Sequence, residues 1–325
     1  MGSDAIARPL LDWLAEAKSA AGEVVGVFTQ PDRPAGRGQQ VQVGAIKAWA
    51  QGRGLPVLQP AQLGEGELAQ LRQWRPDVIL VMAYGHILRR NFIDAPPLGT
   101  LNLHASLLPQ FRGASPIQTA VACGGPSTGV TLMRIVPELD AGPVAGSEVV
   151  PILPLDTAAD VEVRLAAACG PLLARTLPEL AAGRLKFSEQ DHARATFCRR
   201  LEKSDGALDF SAPAAALAAR INGLFPWPGC SFAVNGQVVR LGLADTVAGP
   251  AAAAPGAVLG SDAAGLLVAA GGSVLRLRRL QRPGGRMLDA GEFLRGFPIA
   301  AGTVVPSQPM PPLVSTAPFP RPPRG

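Results

Sequence analysis

The chain has 325 residues, 47% of them hydrophobic and 17% charged, which is enough for two separate cores and too apolar for a wholly disordered protein. Its formal net charge of +5 permits an acidic partner without requiring one. Cys123, Cys169, Cys198 and Cys230 stand far apart with no zinc-like spacing, no apolar run approaches the ~20 residues of a membrane span, and the amino terminus lacks a secretory pattern. A soluble, cytoplasmic protein with reduced thiols, no metal and no membrane association is expected.

Ile6, Leu10, Leu11, Leu14 and Ala17 share one helical face behind Asp4, which predicts a helix over 5–20 with Asp4 as N-cap and Pro9 perturbing its first turns. Valine-rich residues 23–28 read as a buried strand. The prolines and glycines of 29–40 predict an irregular loop, made basic by Arg33 and Arg37. Helices are predicted over 45–51 and 65–74, with a short strand at 56–58 between them. Residues 77–83, Asp-Val-Ile-Leu-Val-Met-Ala, form the clearest buried strand. A strand at 101–104, a helix at 115–123 and a strand at 129–135 continue the alternation, which argues for a Rossmann-like parallel sheet covered on both faces. Residues 157–183 read as a helix kinked or broken at Gly170-Pro171.

Alternation ends near residue 184, so 1–184 is predicted as the α/β domain and polar 185–203 as a linker. After a helix over 212–223, short strands at 231–234, 238–244, 257–260, 266–269 and 274–280 predict a small, OB-like β-barrel domain over 204–302. The proline-rich tail 303–325 is predicted to be disordered.

Asn102 and His104 stand two apart on the predicted 101–104 strand, so both face one side of the sheet. Leu108-Pro109 then forces a turn, and open α/β sheets place ligands at such strand ends. Asp140, in the loop after the next strand, is a possible third member. A carboxamide donates to a developing oxyanion, while a carboxylate orients an imidazole. The trio suits acyl transfer without a covalent enzyme intermediate. Asp140 before Ala141-Gly142 equally suits an ordinary turn.

Asn102-x-His104-x-Ser106-Leu107-Leu108-Pro109 with Asp140 downstream resembles the signature of the 10-formyltetrahydrofolate-dependent formyltransferases. The segments 31–38, 112–118 and 225–229 narrow the resemblance to the methionyl-tRNA formyltransferases, over roughly residues 2–300 and in the same order. The resemblance implies that 10-formyltetrahydrofolate donates its formyl group to the α-amine of initiator methionyl-tRNA, with no metal. It implies Asn102, His104 and Asp140 as the catalytic residues. It implies a folate pocket formed by Met82, Ala83, Tyr84, Gly85, Ile87, Ser106, Leu107, Leu108 and Pro109, with His86 structural or at the rim. It also implies contacts to tRNA from Arg33 and Arg37, in a monomeric enzyme. Arg276 and Arg278, clustered with Arg279, Arg282 and Arg286 near the last barrel strand, suit contacts to tRNA phosphates, and equally a basic surface with no partner. A related enzyme acting on a small amine or hydrolysing the donor is one alternative. A non-catalytic tRNA or folate binder is another.

In the family a strand precedes the turn at which Met1-Gly2-Ser3-Asp4 begins. A true start several residues upstream is therefore expected, and a slot in the sheet if that strand is missing. Guanidinium groups suit phosphate and base-edge contacts. Arg37→Ala is therefore expected to raise the apparent KM for methionyl-tRNA and leave folate binding unchanged; steady-state kinetics in each substrate check this.

Overall fold

The computed structural model describes residues 1–16, 22–35, 40–250 and 253–320. Contacts divide the chain into two compact units. The first holds Met1–Arg112, Gly129–Val150 and Glu162–Ala195, and the second holds Gly113–Thr128, Pro151–Val161 and Thr196–Gly325. The stretch 185–195, read as linker, thus belongs to the first unit.

In the first unit Asp4 accepts from the Ile6 amide and caps a short 3-10 turn, Ala5–Ala7, that leads into helix α1 (Arg8–Glu16). Pro9 sits in the first turn of α1, where a missing N–H costs nothing. Strand β1 (Val27–Phe28), helix α2 (Ala45–Gln51), strand β2 (Val57–Leu58) and helix α3 (Glu65–Trp74) follow. Glu67 reaches back to the Gly64 amide at 2.9 Å and starts α3, whose Leu68 and Leu71 face the core. Strands β3 (Ile79–Val81), β4 (Thr100–His104), β5 (Ser127–Arg134) and β6 (Val144–Pro151) complete the sheet strands. Phe28, Leu68, Leu71, Ile79, Val81, Tyr84 and Phe92 form a core cluster.

The sheet comes in two parts, β1-β2 and β3-β4-β5-β6. The pairs β1/β2 and β3/β4 are parallel, as expected, but β5 runs antiparallel to β4, with Leu101 opposite Arg134 and His104 opposite Thr131. The amino-terminal residues stitch the parts together at one end. The Met1 amine donates to the Leu80 carbonyl (2.6 Å), Met82 N to Met1 O (3.0 Å), Gly2 N to Phe28 O (3.0 Å) and Ser3 N to Ala83 O (3.1 Å). Burial pushes the pKa of that amine down to about 5. Beside them lies a cavity of about 150 Å³, lined by Met1, by Gly26 and Val27 at the start of β1, by Ile79 and Leu80 of β3, and by Leu71 and Trp74 of α3.

Two expectations for this unit are corrected. Residues 29–40 are not wholly irregular: Arg33–Ala35 and Gln40–Gln42 pair as an antiparallel ribbon with Pro34 opposite Val41. A two-stranded ribbon has only edges, so proline is tolerated there. Helix α4 (Ala158–Ala181) runs unbroken through Gly170, Pro171 and Pro178. Its buried Leu165, Cys169, Leu172, Leu173 and Leu177 outweigh the lost backbone bonds, and Gly170 leaves room for the Trp13 ring.

In the second unit, helix α5 (Ala214–Leu224) packs Leu217, Ile221 and Leu224 into a core shared with strands β7 (Cys230–Val234), β8 (Gln237–Pro250), β9 (Val258–Ser261), β10 (Leu266–Ala270) and β11 (Ser273–Gln281). Asn222 clamps the helix to β8, donating to and accepting from the Ala244 backbone at 2.9 and 2.8 Å. All five predicted strands are present, in the order β7-β8-β11-β10-β9. Among the described residues β7 and β9 do not pair, so the sheet is open where a closed OB-like barrel was expected.

The tail is likewise corrected for residues 303–320, while 321–325 lie outside the described residues. Val305 and Leu313 are buried in the second core, and Val314–Ser315 pairs with Phe197–Cys198. Prolines keep their carbonyls, and those of Pro311 and Pro312 accept from Arg220 (3.0 Å) and Arg199 (3.3 Å). Leu313→Ala is expected to lower stability by about 2–5 kcal/mol; denaturant titration checks it, since a disordered tail would show no change.

Candidate active site

The site is built at the carboxyl end of β4. The ladder sets Asn102 between Val81 of β3 and Met133 of β5, and places His104 opposite Thr131. Strand alternation then points Asn102 and His104 to one face. His104 is buried, and its Nε2 donates to the carbonyl of Phe111 at 3.0 Å. Its Nδ1 lies 3.7 Å from Asp140 Oδ2. The structure therefore brings together the imidazole and the carboxylate that stand 36 positions apart in the chain. Phe111 and Asp140 both sit in the left-handed region, at φ 56° and 47°. Two loops thus adopt locally unfavourable backbone where they meet the imidazole.

The loop after β4 is pinned by a residue that no sequence motif singled out. Thr131 is fully buried, its hydroxyl donates to the Ser106 carbonyl at 2.7 Å, and it accepts from Leu108 N at 3.2 Å. The Ser106 hydroxyl closes the turn by donating to Gln110 O. Leu107 packs against Gly129, where an added Cβ would lie 2.4 Å from the leucine and 2.3 Å from Glu148 O. Only glycine fits that position on β5. The Leu108-Pro109 peptide is cis.

The proposed folate-facing stretch divides by burial. Ala83, Gly85 and Ile87 are exposed, while Met82 and Tyr84 point inward. The Cys169 thiol reaches the Met82 sulfur at 4.0 Å, and the Tyr84 ring belongs to the first unit's core. Burial pushes the Tyr84 phenol above its ordinary value. Among the described residues neither its hydroxyl nor His86 Nε2 meets a partner, and the two rings stack edge to face at 5.0 Å. The Met82 and Tyr84 side chains thus lie in the interior, and the exposed residues of this stretch are Ala83, Gly85 and Ile87. The strand readily shows its alternation, but which face is solvent depends on what α3 and α4 cover.

Arg33 is exposed and donates to Gln30 Oε1, and Gln30 Nε2 in turn donates to Tyr84 O at 3.2 Å. The basic ribbon is thus tied to the strand-end stretch through Gln30, another residue the motifs did not mark. Arg37 lies outside the described residues. Asp32 anchors the ribbon, accepting from Lys47 Nζ, Gln59 Nε2 (2.9 Å) and Gly44 N (3.2 Å). The expected free guanidiniums in the second unit are not free. Arg276 pairs with Asp245 (2.6 Å) and Asp262 (3.0 Å), and Arg278 shares Asp245 at 2.7 Å. Both guanidiniums are thus held by carboxylates on their own sheet. Among the described residues there is no group of three side chains fit to hold a metal, and no helix is long and apolar enough to cross a membrane.

A family model described as Formyl transferase matches residues 2–177, and one described as Formyl transferase, C-terminal domain, matches residues 200–298. Among solved structures, an N-formyltransferase from Helicobacter canadensis, in complex with folinic acid and dTDP-3-aminofucose, aligns with a TM-score of 0.64 at 14% identity, covering 85% of this chain and 96% of that one. HypX from Aquifex aeolicus, in complex with tetrahydrofolic acid, aligns at 0.54 and 18%, covering 75% and 43%. These define the class, a two-part formyl transferase fold. Methionyl-tRNA formyltransferases of Aromatoleum aromaticum and Myxococcus xanthus are each 42% identical to this chain, over 289 and 283 residues. The alignments cover 88% and 87% of it and 91% and 90% of the relatives. The chain belongs to the methionyl-tRNA formyltransferase family.

The hydrogen bonds from Lys47, Gln59 and Gly44 hold the Asp32 carboxyl down at about 2. A carboxylate depressed in the folded state stabilises above its unfolded value, near 3.8, and loses that contribution as pH falls through about 2. The Gly44 amide resonance is expected to titrate with a midpoint near 2 and to lose that titration in Asp32→Asn. A midpoint near the ordinary carboxylate value would mean that the anchor is not formed.

Proposed function

We propose that Asn102, His104 and Asp140 carry out formyl transfer from 10-formyltetrahydrofolate to the α-amine of initiator methionyl-tRNA. Membership of the family supplies the reaction, and the 3.7 Å approach of Asp140 to His104 is the observation that carries the residue roles. The amine attacks the formyl carbon, and the resulting tetrahedral intermediate bears an oxyanion. The Asn102 carboxamide donates to that oxyanion, and the His104 N–H now given to the Phe111 carbonyl is the second donor. Asp140 takes up the proton lost by the attacking amine, and His104 gives its own to N10 of the folate as the carbon–nitrogen bond to the donor breaks; the Asp140 proton then passes to the ring across the 3.7 Å contact. The products are formylmethionyl-tRNA and tetrahydrofolate.

The exposed backbone of Ala83 and Gly85 and the side chain of Ile87 form one wall for the pterin, and the pinned loop Ser106–Pro109 forms the other. A flat ring edge with donors and acceptors suits strand-end backbone. Met82 and Tyr84 support this wall from the core side. Arg33 and Arg37 receive the acceptor end of the tRNA. The enzyme acts as a monomer in the cytoplasm, where the charged initiator tRNA is found, with no membrane association.

Asn102→Ala and His104→Ala are each expected to lower kcat by about 100- to 1,000-fold, the usual cost of losing an oxyanion donor, with folding retained. Formylation of charged initiator tRNA, with circular dichroism as the folding control, checks this. A folded His104→Ala enzyme with near-normal turnover would overturn the assignment.

A further inference from the structure

Gln190 lies in the stretch that reads as linker, yet it is buried in the first unit and every hydrogen-bonding position of its carboxamide is used. Its Oε1 accepts from Arg112 Nε at 3.2 Å and Nη2 at 2.7 Å. Its Nε2 donates to the carbonyls of Asp140, at 2.9 Å, and Gly142, at 2.7 Å. Arg112 is itself 4% exposed, and its Nη2 also meets His192 Nδ1 at 3.1 Å. Burial lowers the Arg112 pKa and the nearby Asp140 carboxylate opposes that fall.

The turn that Gln190 grips needs a hold. Asp140 is a non-glycine residue in the left-handed region, and a Cβ at Gly142 would come within 2.0 Å of Arg134 O. Backbone in such a conformation persists only where its surroundings over-determine it. One amide satisfying two carbonyls of the turn, those of Asp140 and Gly142, while its oxygen is fixed by a buried guanidinium, is such a surrounding. The chemistry is specific to a carboxamide. A carboxylate in its place would keep the arginine but oppose two carbonyl oxygens, and a thioether would keep the shape and supply neither function.

We propose that Gln190 is the positioning residue for Asp140, holding the carboxylate at His104 from outside the catalytic trio. The inference rests on the reading of Asp140 as the partner of His104. Misplacement of a catalytic group by about 1 Å can cost on the order of 100-fold, so Gln190→Met is expected to lower kcat ~10- to 100-fold with both KM values within about twofold. In a double-mutant cycle the same substitution added to Asp140→Asn should cost less than about twofold, because it acts through a group already removed. Gln190→Glu, tested in parallel, should lose the same factor while keeping its contact with Arg112. The ring ¹⁵N shifts of His104 in the folded single variants give a second readout without turnover, and they should move toward those of Asp140→Asn. Equal losses from Gln190→Met in the wild-type and Asp140→Asn backgrounds, or unmoved His104 shifts, would overturn the proposal and leave the catalytic trio standing. Full activity in Asp140→Asn would instead overturn the trio, and this inference with it.

Discussion

The hydrogen-bond ladder of the Thr100–His104 strand is the constraint on which the rest depends. Flanked by a parallel strand on one side and an antiparallel strand on the other, its register has little freedom, because a slip of one residue would exchange its buried and site-facing positions. Leu101 and Leu103 are essentially buried, which ties that register to the core. Asn102 and His104 alternate with them and inherit a common face. Without that ladder the two polar side chains would have no defined separation, and the loops that meet them would have nothing to close against.

Each neighbouring strand then supplies something different. The parallel partner ends in the stretch 82–87, whose residues Ala83, Gly85 and Ile87 reach solvent while Met82 and Tyr84 are buried. The antiparallel partner contributes Thr131, whose hydroxyl serves the Ser106 carbonyl and the Leu108 amide together. It also contributes Gly129, which leaves room for Leu107. At its far end it leads into the turn that carries Asp140. A single strand thus shapes the loop after His104 and delivers the carboxylate toward its ring.

Electrostatics divide the arginines into two groups. Arg112, Arg199, Arg220, Arg276 and Arg278 each meet backbone carbonyls, an amide oxygen or carboxylates within their own surroundings, so their charge is spent on holding loops and strands. Exposed Arg33 donates to one neutral side-chain amide and keeps its charge uncompensated by any carboxylate among the described residues. A net charge of +5 therefore says little about where nucleic acid binds. The pairing of each guanidinium decides that, and pairing is a tertiary property.

The local pattern of the chain determined a good deal by itself. The helix 65–74, the Asn102–His104 strand and five short strands of the second unit follow from apolar periodicity and turn residues, which act over a few positions and need no distant partner. The shared face of Asn102 and His104 was equally legible, since two residues on one strand carry their relative geometry in the sequence. Only the tertiary structure decided that Asp140 meets His104, that the second unit's sheet stays open, and that the tail to residue 320 packs through Val305 and Leu313. It alone tied Arg276 and Arg278 to Asp245, and it alone placed Gln190 on the Asp140 turn. Each of these joins residues that no short-range period connects. Spacing along the chain says which groups share a face, and only the closing of the chain says which faces meet.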